Sequence, residues 1–159
     1  MLDGGTGNDT LQGGVGVDSL IGGSGNDLLT GSDGSDSIDG GAGTDTLVES
    51  SPYATLTNST FVSFVAWDAF GNWVETTDVL AGFEKANLTA TDGSFGFTYL
   101  SANNFTGSVT LNGSSLDDYL SGGNAADTIS GNDGNDVISG NGGNDIVYGG
   151  LAITAPRCR

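Results

Sequence analysis

The stretch GGTGNDTLQGGVGVDSLIGGSGNDLLTG, from Gly4 to Gly31, sets a Gly-Gly pair, a third Gly and then an Asp on a nine-residue clock. Gly is the costliest residue to order and Asp is a poor strand former, so something must offset both once per repeat. Units begin at Gly4, Gly13, Gly22, Gly31 and Gly40. Their sixth positions are Asp9, Asp18, Asp27, Asp36 and Asp45, and their eighth are Leu11, Leu20, Leu29, Ile38 and Leu47. Leu2 falls on the eighth position of a unit that would open before Met1, which leads us to expect a piece of a longer repeat protein.

The register returns at Gly113, with further units at Gly122, Gly131 and Gly140. These carry Asp118, Asp127, Asp136 and Asp145 at position six, and Leu120, Ile129, Ile138 and Val147 at position eight. A unit opening at Gly149 fails, with Thr154 where the Asp belongs. The expected division is therefore 1–48 (first array), 49–112 (insert), 113–150 (second array) and 151–159 (tail). The insert holds all seven Phe and both Trp. Within it, TFVSFVAWDAFGNWVE reads as two strands about a turn, and TDVLAGFEKANLTATDG and FTGSVTLNG read as further strands with Gly turns. We expect extra β-structure joined to the second array rather than a free linker. No segment has a convincing helix pattern.

Twenty acidic residues face three basic ones, Lys85, Arg157 and Arg159, with no His and a net charge of -17. That balance repels nucleic acid and anionic membranes, which need clustered Lys and Arg. It suits cations. Only Glu49, Glu75 and Glu84 among the acids are not Asp, a skew that favours Asp-built turns over a generic acidic surface. A flexible Gly/Asp linker would have no reason to keep a strict apolar beat. Cys158 stands alone, so no internal disulfide is available. No apolar run is long enough to span a bilayer, and the first residues lack a signal-peptide pattern.

Physically, each unit divides into six residues of turn and a strand of three, whose middle apolar side chain points inward. Two units make one coil, so residues 18 apart become vertical neighbours. Asp9, Asp27 and Asp45 line one edge and Asp18 and Asp36 the other; Asp118 pairs with Asp136, and Asp127 with Asp145. Stacked carboxylates repel one another unless a hard divalent cation joins them, and calcium takes six to eight oxygen ligands from carboxylates and carbonyls. One inward Leu per nine residues is a thin core against the backbone entropy of the other eight. Metal binding then becomes part of the folding free energy.

The units resemble the RTX (repeats-in-toxin) nonapeptide G-G-x-G-x-D-x-U-x, a calcium-binding β-helix repeat. GGTGNDTLQ, GGSGNDLLT and GGAGTDTLV fit every fixed position; GSDGSDSID, GNDGNDVIS and GNGGNDIVY depart only at the second Gly. The insert is similar to the spacers of RTX-type proteins. The resemblance implies an all-β, right-handed parallel β-roll or β-helix solenoid in two stacked arrays with an inserted aromatic-rich β segment. It implies about five calcium ions, each between loops 18 residues apart. The lower loop would give carbonyls from positions two and four and its Asp, the upper loop carbonyls from positions one and three and its Asp. Gly5, Gly7 and Asp9 would face Gly22, Ser24 and Asp27. Gly14, Gly16 and Asp18 would face Gly31, Asp33 and Asp36. Gly23, Gly25 and Asp27 would face Gly40, Ala42 and Asp45. In the second array, Gly123, Ala125 and Asp127 would face Gly140, Gly142 and Asp145, and Ser114, Leu116 and Asp118 would face Gly131, Asp133 and Asp136. Leu116 and Ala125 stand where the family has Gly, and a Cβ is costly there if the position needs φ > 0. The family also implies a secreted, extracellular bacterial protein exported by the type I route through an uncleaved C-terminal signal; the tail LAITAPRCR is shorter than such a signal.

Catalysis has little support. Without His there is no Ser-His-Asp triad and no zincin motif, and the repeating Asp already have a role, so no enzymatic activity is expected of this chain. Trp67, Phe70 and Trp73 suit packing within the fold, with a platform for sugar rings as the alternative. RTX arrays also occur in adhesins and beside polysaccharide-modifying enzymes, so an extracellular polysaccharide is a second candidate partner. Asp39 and Asp117 fall outside position six and read as solvated turn residues.

Overall fold

A computed structural model describes residues 1–67, 73–92 and 96–151. All regular structure among them is β. In the first array, β1 (Leu2–Thr6), β2 (Thr10–Val15), β3 (Ser19–Ser24), β4 (Leu28–Asp33), β5 (Ser37–Ala42) and β6 (Thr46–Ser50) follow the nine-residue beat. The insert contributes β7 (Tyr53–Thr57), β8 (Thr60–Trp67), β9 (Trp73–Ala81), β10 (Lys85–Thr89), β11 (Phe97–Asn104) and β12 (Ser108–Asn112). The second array adds β13 (Asp117–Ser121), β14 (Thr128–Ser130), β15 (Val137–Ser139) and β16 (Ile146–Tyr148).

Within each repeat array, successive strands alternate between two sheets, and each strand pairs with the one two steps away. Leu2 lies beside Leu20 and Leu20 beside Ile38 in one sheet; Leu11 lies beside Leu29 and Leu29 beside Leu47 in the other. The pairing is parallel and shifts by 18 residues per coil, as two nine-residue units require. Position eight therefore stacks on position eight, and Leu20, Leu29 and Leu47 are fully buried between the sheets. A period of two puts their neighbours on the outer face.

The insert does not separate the arrays. The seven-stranded sheet runs β16-β14-β12-β10-β6-β4-β2, all parallel, with β10 seated directly between β6 and β12. The nine-stranded sheet runs β1-β3-β5-β9-β8-β7-β11-β13-β15. Here one coil is expanded into a three-strand meander: β7 pairs antiparallel with β8, and β8 with β9, while β9 continues β5 and β11 continues β7 in parallel. The two strands read in TFVSFVAWDAFGNWVE are thus β8 and β9; its turn, with Phe70, and the side chains of Trp67 and Trp73 lie outside the described residues. Phe61 and Phe105 of the insert join Leu56, Leu88 and Leu111 in the same core as the repeat leucines.

The six-plus-three division of each unit needs correction in the first array, where β2 to β5 are six residues long and run on through positions one to three of the next unit. Neighbouring loops there share one backbone conformation, so the ladder continues through Gly5 beside Gly23 and Thr6 beside Ser24. In the second array the loops differ from coil to coil, and β14, β15 and β16 keep only three residues. Asp39 and Asp117 are exposed as expected but stand on β5 and β13. Among the described residues no helix is long and apolar enough to cross a membrane.

Candidate metal centre

The turns between strands stack into two edges, and a carboxylate ladder runs along each. The backbone N–H of Asp9 donates to Asp27 Oδ1, that of Asp27 to Asp45 Oδ1, and that of Asp18 to Asp36 Oδ1, all at 2.8 Å. One carboxylate oxygen of each upper Asp thus faces down. The other oxygen is left over: Asp9, Asp27, Asp36, Asp45 and Asp136 each have a buried Oδ2 with no hydrogen-bond partner. Asp27, Asp36 and Asp45 are themselves buried. A buried, unpaired carboxylate oxygen costs several kcal/mol, roughly, unless something neutralises it.

The leftover oxygens do not point into empty space. A Cβ placed on Gly4 would stand 2.6 Å from the Gly22 carbonyl oxygen and 2.8 Å from Asp9 Oδ2; on Gly13 it would stand 2.8 Å from the Gly31 oxygen and 3.1 Å from Asp18 Oδ2. At Gly22 the Gly40 oxygen and Asp27 Oδ2 crowd the same point. At each of these positions an upper carbonyl and a lower carboxylate oxygen converge, two negative ends facing each other. A cation placed between them would neutralise that arrangement.

The lower loops turn their own carbonyls the same way. Gly25 has φ 136°, in a region closed to residues with a Cβ, and a Cβ there would run into the Gly7 carbonyl oxygen of the coil below. The seven glycines at position four that share this conformation span φ 115° to 148°. Position two is left-handed as well, at Gly5, Gly14 and Gly23, and also where Ser32, Asn132 and Asn141 replace the Gly, with φ between 64° and 74°. Asn tolerates that region better than most residues. The carbonyls of Ser24, Asp33 and Ala42 accept the N–H groups of Gly7, Gly16 and Gly25 at 2.8 Å; each keeps a second lone pair for an ion.

Among the described residues no three His, Cys, Asp or Glu side chains converge on one point. The sites combine two carboxylates with backbone carbonyls, an all-oxygen set that fits a hard cation such as calcium and offers nothing to a thiophilic one. The structure brings together Gly5, Gly7 and Asp9 with Gly22, Ser24 and Asp27, and likewise the two further first-array groups named from the sequence.

The second array differs. Leu116 and Ala125 are absent from the left-handed region, and so are Ser114 and Gly123 at position two. The loops refold so that the N–H of Ser114 donates to Asp118 Oδ2 at 2.8 Å and that of Gly123 to Asp127 Oδ2 at 2.7 Å. The oxygens left free at Asp9 and Asp27 are here closed by their own loops. The Cβ at position four is the physical reason, since it bars the conformation that aims the carbonyls between coils. Asp118 and Asp127 still face Asp136 and Asp145 through N–H to Oδ1 bonds of 3.1 and 3.0 Å, and the carbonyl oxygens of Gly131 and Gly140 still crowd the Cβ directions of Gly113 and Gly122 beside Asp118 and Asp127 Oδ2; what differs is the lower loop, whose positions two and four leave the left-handed region.

Three carboxylates were missed by the nine-residue count. Asp78 accepts the N–H of Asp36 at 2.9 Å across 42 residues, and Glu84 accepts that of Asp45 at 2.9 Å across 39. Both hold the rung that the next repeat would have supplied. Glu49 accepts the Gly31 N–H at 2.6 Å. Burial, reinforced by the charges of Asp78 and Asp36, raises Glu49 from 4.5 to about 7. Burial, with the charge of Asp36, raises Asp78 from 3.8 to about 6. Asp45 and Asp136 are also raised, chiefly by burial. Carboxyls raised in the fold bind more protons than in the open chain, so their contribution is present at acid pH and is lost as pH rises through the folded value. Metal-free protein should therefore gain β-structure as the pH falls from above about 7 towards about 5, the window set by Glu49 and Asp78. Far-UV circular dichroism in chelator checks this; β-signal falling over that range would contradict it.

A family model of the RTX calcium-binding nonapeptide repeat, four copies long, matches residues 1–29, 12–47 and 121–152. No curated protein matches the chain. The nine-residue beat, the two parallel sheets and the cation-seeking loops agree with that match: the protein belongs to the RTX calcium-binding nonapeptide repeat family.

Proposed function

We propose that calcium is the folding switch of this protein: the loops between stacked coils take up the ion, and the β-roll assembles around it in an extracellular, calcium-rich medium. The observation that carries this reading is the row of buried, unpartnered Oδ2 atoms at Asp9, Asp27, Asp36 and Asp45, each in a repeat loop. In a cytosol poor in calcium the ladders repel and the chain stays open, a form suited to export; outside, the ion joins the coils.

The first array supplies three sites of full donor set, those of Asp9 with Asp27, Asp18 with Asp36, and Asp27 with Asp45. The second array supplies weaker sites or none, because Asp118 and Asp127 are closed onto Ser114 and Gly123. Calcium titrated calorimetrically into chelator-treated protein tests this. The expected result is cooperative uptake of at least three ions coupled to folding, with magnesium a poor substitute because it demands a smaller, stricter octahedron. An absence of calcium heat, or uptake with no folding, would overturn the reading.

A further inference from the structure

The first array has a buried carboxylate oxygen that the repeat-to-repeat sites leave unused. In those sites a lower Asp turns its Oδ2 upward to meet the position-one carbonyl of the coil above. Asp45 is fully buried with an unpartnered Oδ2, yet no repeat follows it. What stands above is the β9–β10 turn of the insert, Gly82, Phe83 and Glu84: Ala81 pairs with Asp39 and Lys85 with Thr46, so three residues lie where the repeat has six.

That turn reproduces the upper half of a repeat site by other means. The Gly82 carbonyl oxygen crowds the Cβ direction of Gly40 together with Asp45 Oδ2, the latter at 2.9 Å, just as the Gly22 oxygen and Asp9 Oδ2 crowd Gly4. Gly82 sits over Gly41, whose carbonyl oxygen lies 3.2 Å from where a Gly82 Cβ would be. Glu84 takes the place of the upper Asp, its Oε2 accepting the Asp45 N–H at 2.9 Å. Its extra methylene spans the distance that the shortened turn leaves. Below, Gly41 and Gly43 keep the φ of 95° and 148° that open the loops of the first array.

The opposite edge serves as a control within the same molecule. Asp78 accepts the Asp36 N–H there, but no carbonyl oxygen is among the nearest atoms around the Gly31 Cβ direction, and Glu49 has taken the Gly31 N–H. The Asp78 rung lacks the converging carbonyl that accompanies the Glu84 rung.

We infer that the insert and the first array share a calcium site built from the Gly41, Gly43 and Gly82 carbonyls and the carboxylates of Asp45 and Glu84, with water completing the shell. The inference rests on the calcium reading of the repeats and extends it outside them. Its consequence is mechanical: an ion there clips the non-repeat segment onto the array, so that folding passes from the first coils into the meander.

The test counts calcium bound at saturation, by equilibrium dialysis or calorimetry, on the full chain and on two variants, Glu84→Gln and Asp9→Asn. Glu84→Gln keeps an oxygen for the Asp45 N–H and removes only the charge; Glu84 is exposed, so the core is untouched. Asp9 serves one repeat site alone, at the far end of the array. The expected result is one ion fewer in each variant, with the far-UV spectrum in excess calcium unchanged for Glu84→Gln. An undiminished count in Glu84→Gln beside a loss of one ion in Asp9→Asn would overturn the shared site and leave the repeat sites standing. An undiminished count in both would remove the calcium reading itself. A loss of several ions in Glu84→Gln would also overturn it, since the site is local.

Discussion

Excess EGTA will abolish the β-sheet spectrum of this protein, and calcium returned above the chelator will restore it. On the proposed calcium reading the fold has two sources of cohesion, and only one would survive chelation. The apolar source is a single column of position-eight side chains, Leu11, Leu20, Leu29, Ile38 and Leu47 in the first array, one per nine residues. At about 25 cal/mol per Å² such a column contributes about 2 kcal/mol per unit. Ordering nine residues costs about 1 kcal/mol or more for each backbone, and the glycines cost most. Parallel pairing and hydrogen bonds narrow the gap, but the stacked carboxylates widen it, with Asp27, Asp36 and Asp45 buried. Calcium bound as proposed would reverse the sign of that last contribution and add binding energy that exists only in the folded state. Far-UV circular dichroism with and without chelator is the measurement. A β spectrum indifferent to EGTA would show that the apolar column and the insert suffice, and the proposed switch would be lost.

Asp27→Ala should be clearly more damaging than Asp9→Ala. In the proposed sites Asp27 is the upper ligand above Asp9 and the lower ligand beneath Asp45, so its loss should break two sites where Asp9→Ala breaks one. It also removes the acceptor for the Asp9 N–H, and leaves Asp45 Oδ1 with the Asp27 N–H but no carboxylate below it. At a calcium concentration about a hundred times the dissociation constant, each filled site stabilises the fold by about 2.7 kcal/mol. Two lost sites then cost about 5 kcal/mol, comparable to the whole stability of a small domain. The expected outcome is two fewer ions and a folding midpoint shifted to much higher calcium. Calorimetry gives the count and circular dichroism the midpoint. A loss equal to that of Asp9→Ala would contradict the sharing of Asp27 between neighbouring coils.

Much of this architecture is legible without coordinates because it is local and periodic. A nine-residue beat with Asp at six and an apolar residue at eight fixes the strand, the turn and the 18-residue stacking, and the pairing of Leu11 with Leu29 or Leu20 with Ile38 follows by counting. Leu116 and Ala125 stood out for the same reason, since a Cβ at a position that demands φ near 130° is a local conflict. What it did to the loop, the turning of the Ser114 and Gly123 N–H groups onto Asp118 and Asp127, is a rearrangement that only the folded backbone shows.

The sequence by itself determined the repeat, its pitch, its preference for a hard cation and the all-β class, because each follows from which residue types recur at which interval. The tertiary structure alone decided how the insert joins the arrays: β10 slots between β6 and β12, and a three-strand meander widens the opposite sheet while leaving it continuous. It alone placed Asp78 and Glu84 on the carboxylate ladders, at separations of 42 and 39 residues that belong to no period in the chain. The physical reason is that a repeat specifies its neighbours through spacing, whereas a contact across a non-repeating segment depends on where several turns and two strand reversals bring the backbone. Glu84 reaches Asp45 because its turn is short and its side chain is long, and neither fact has meaning until the coil beneath it is in place.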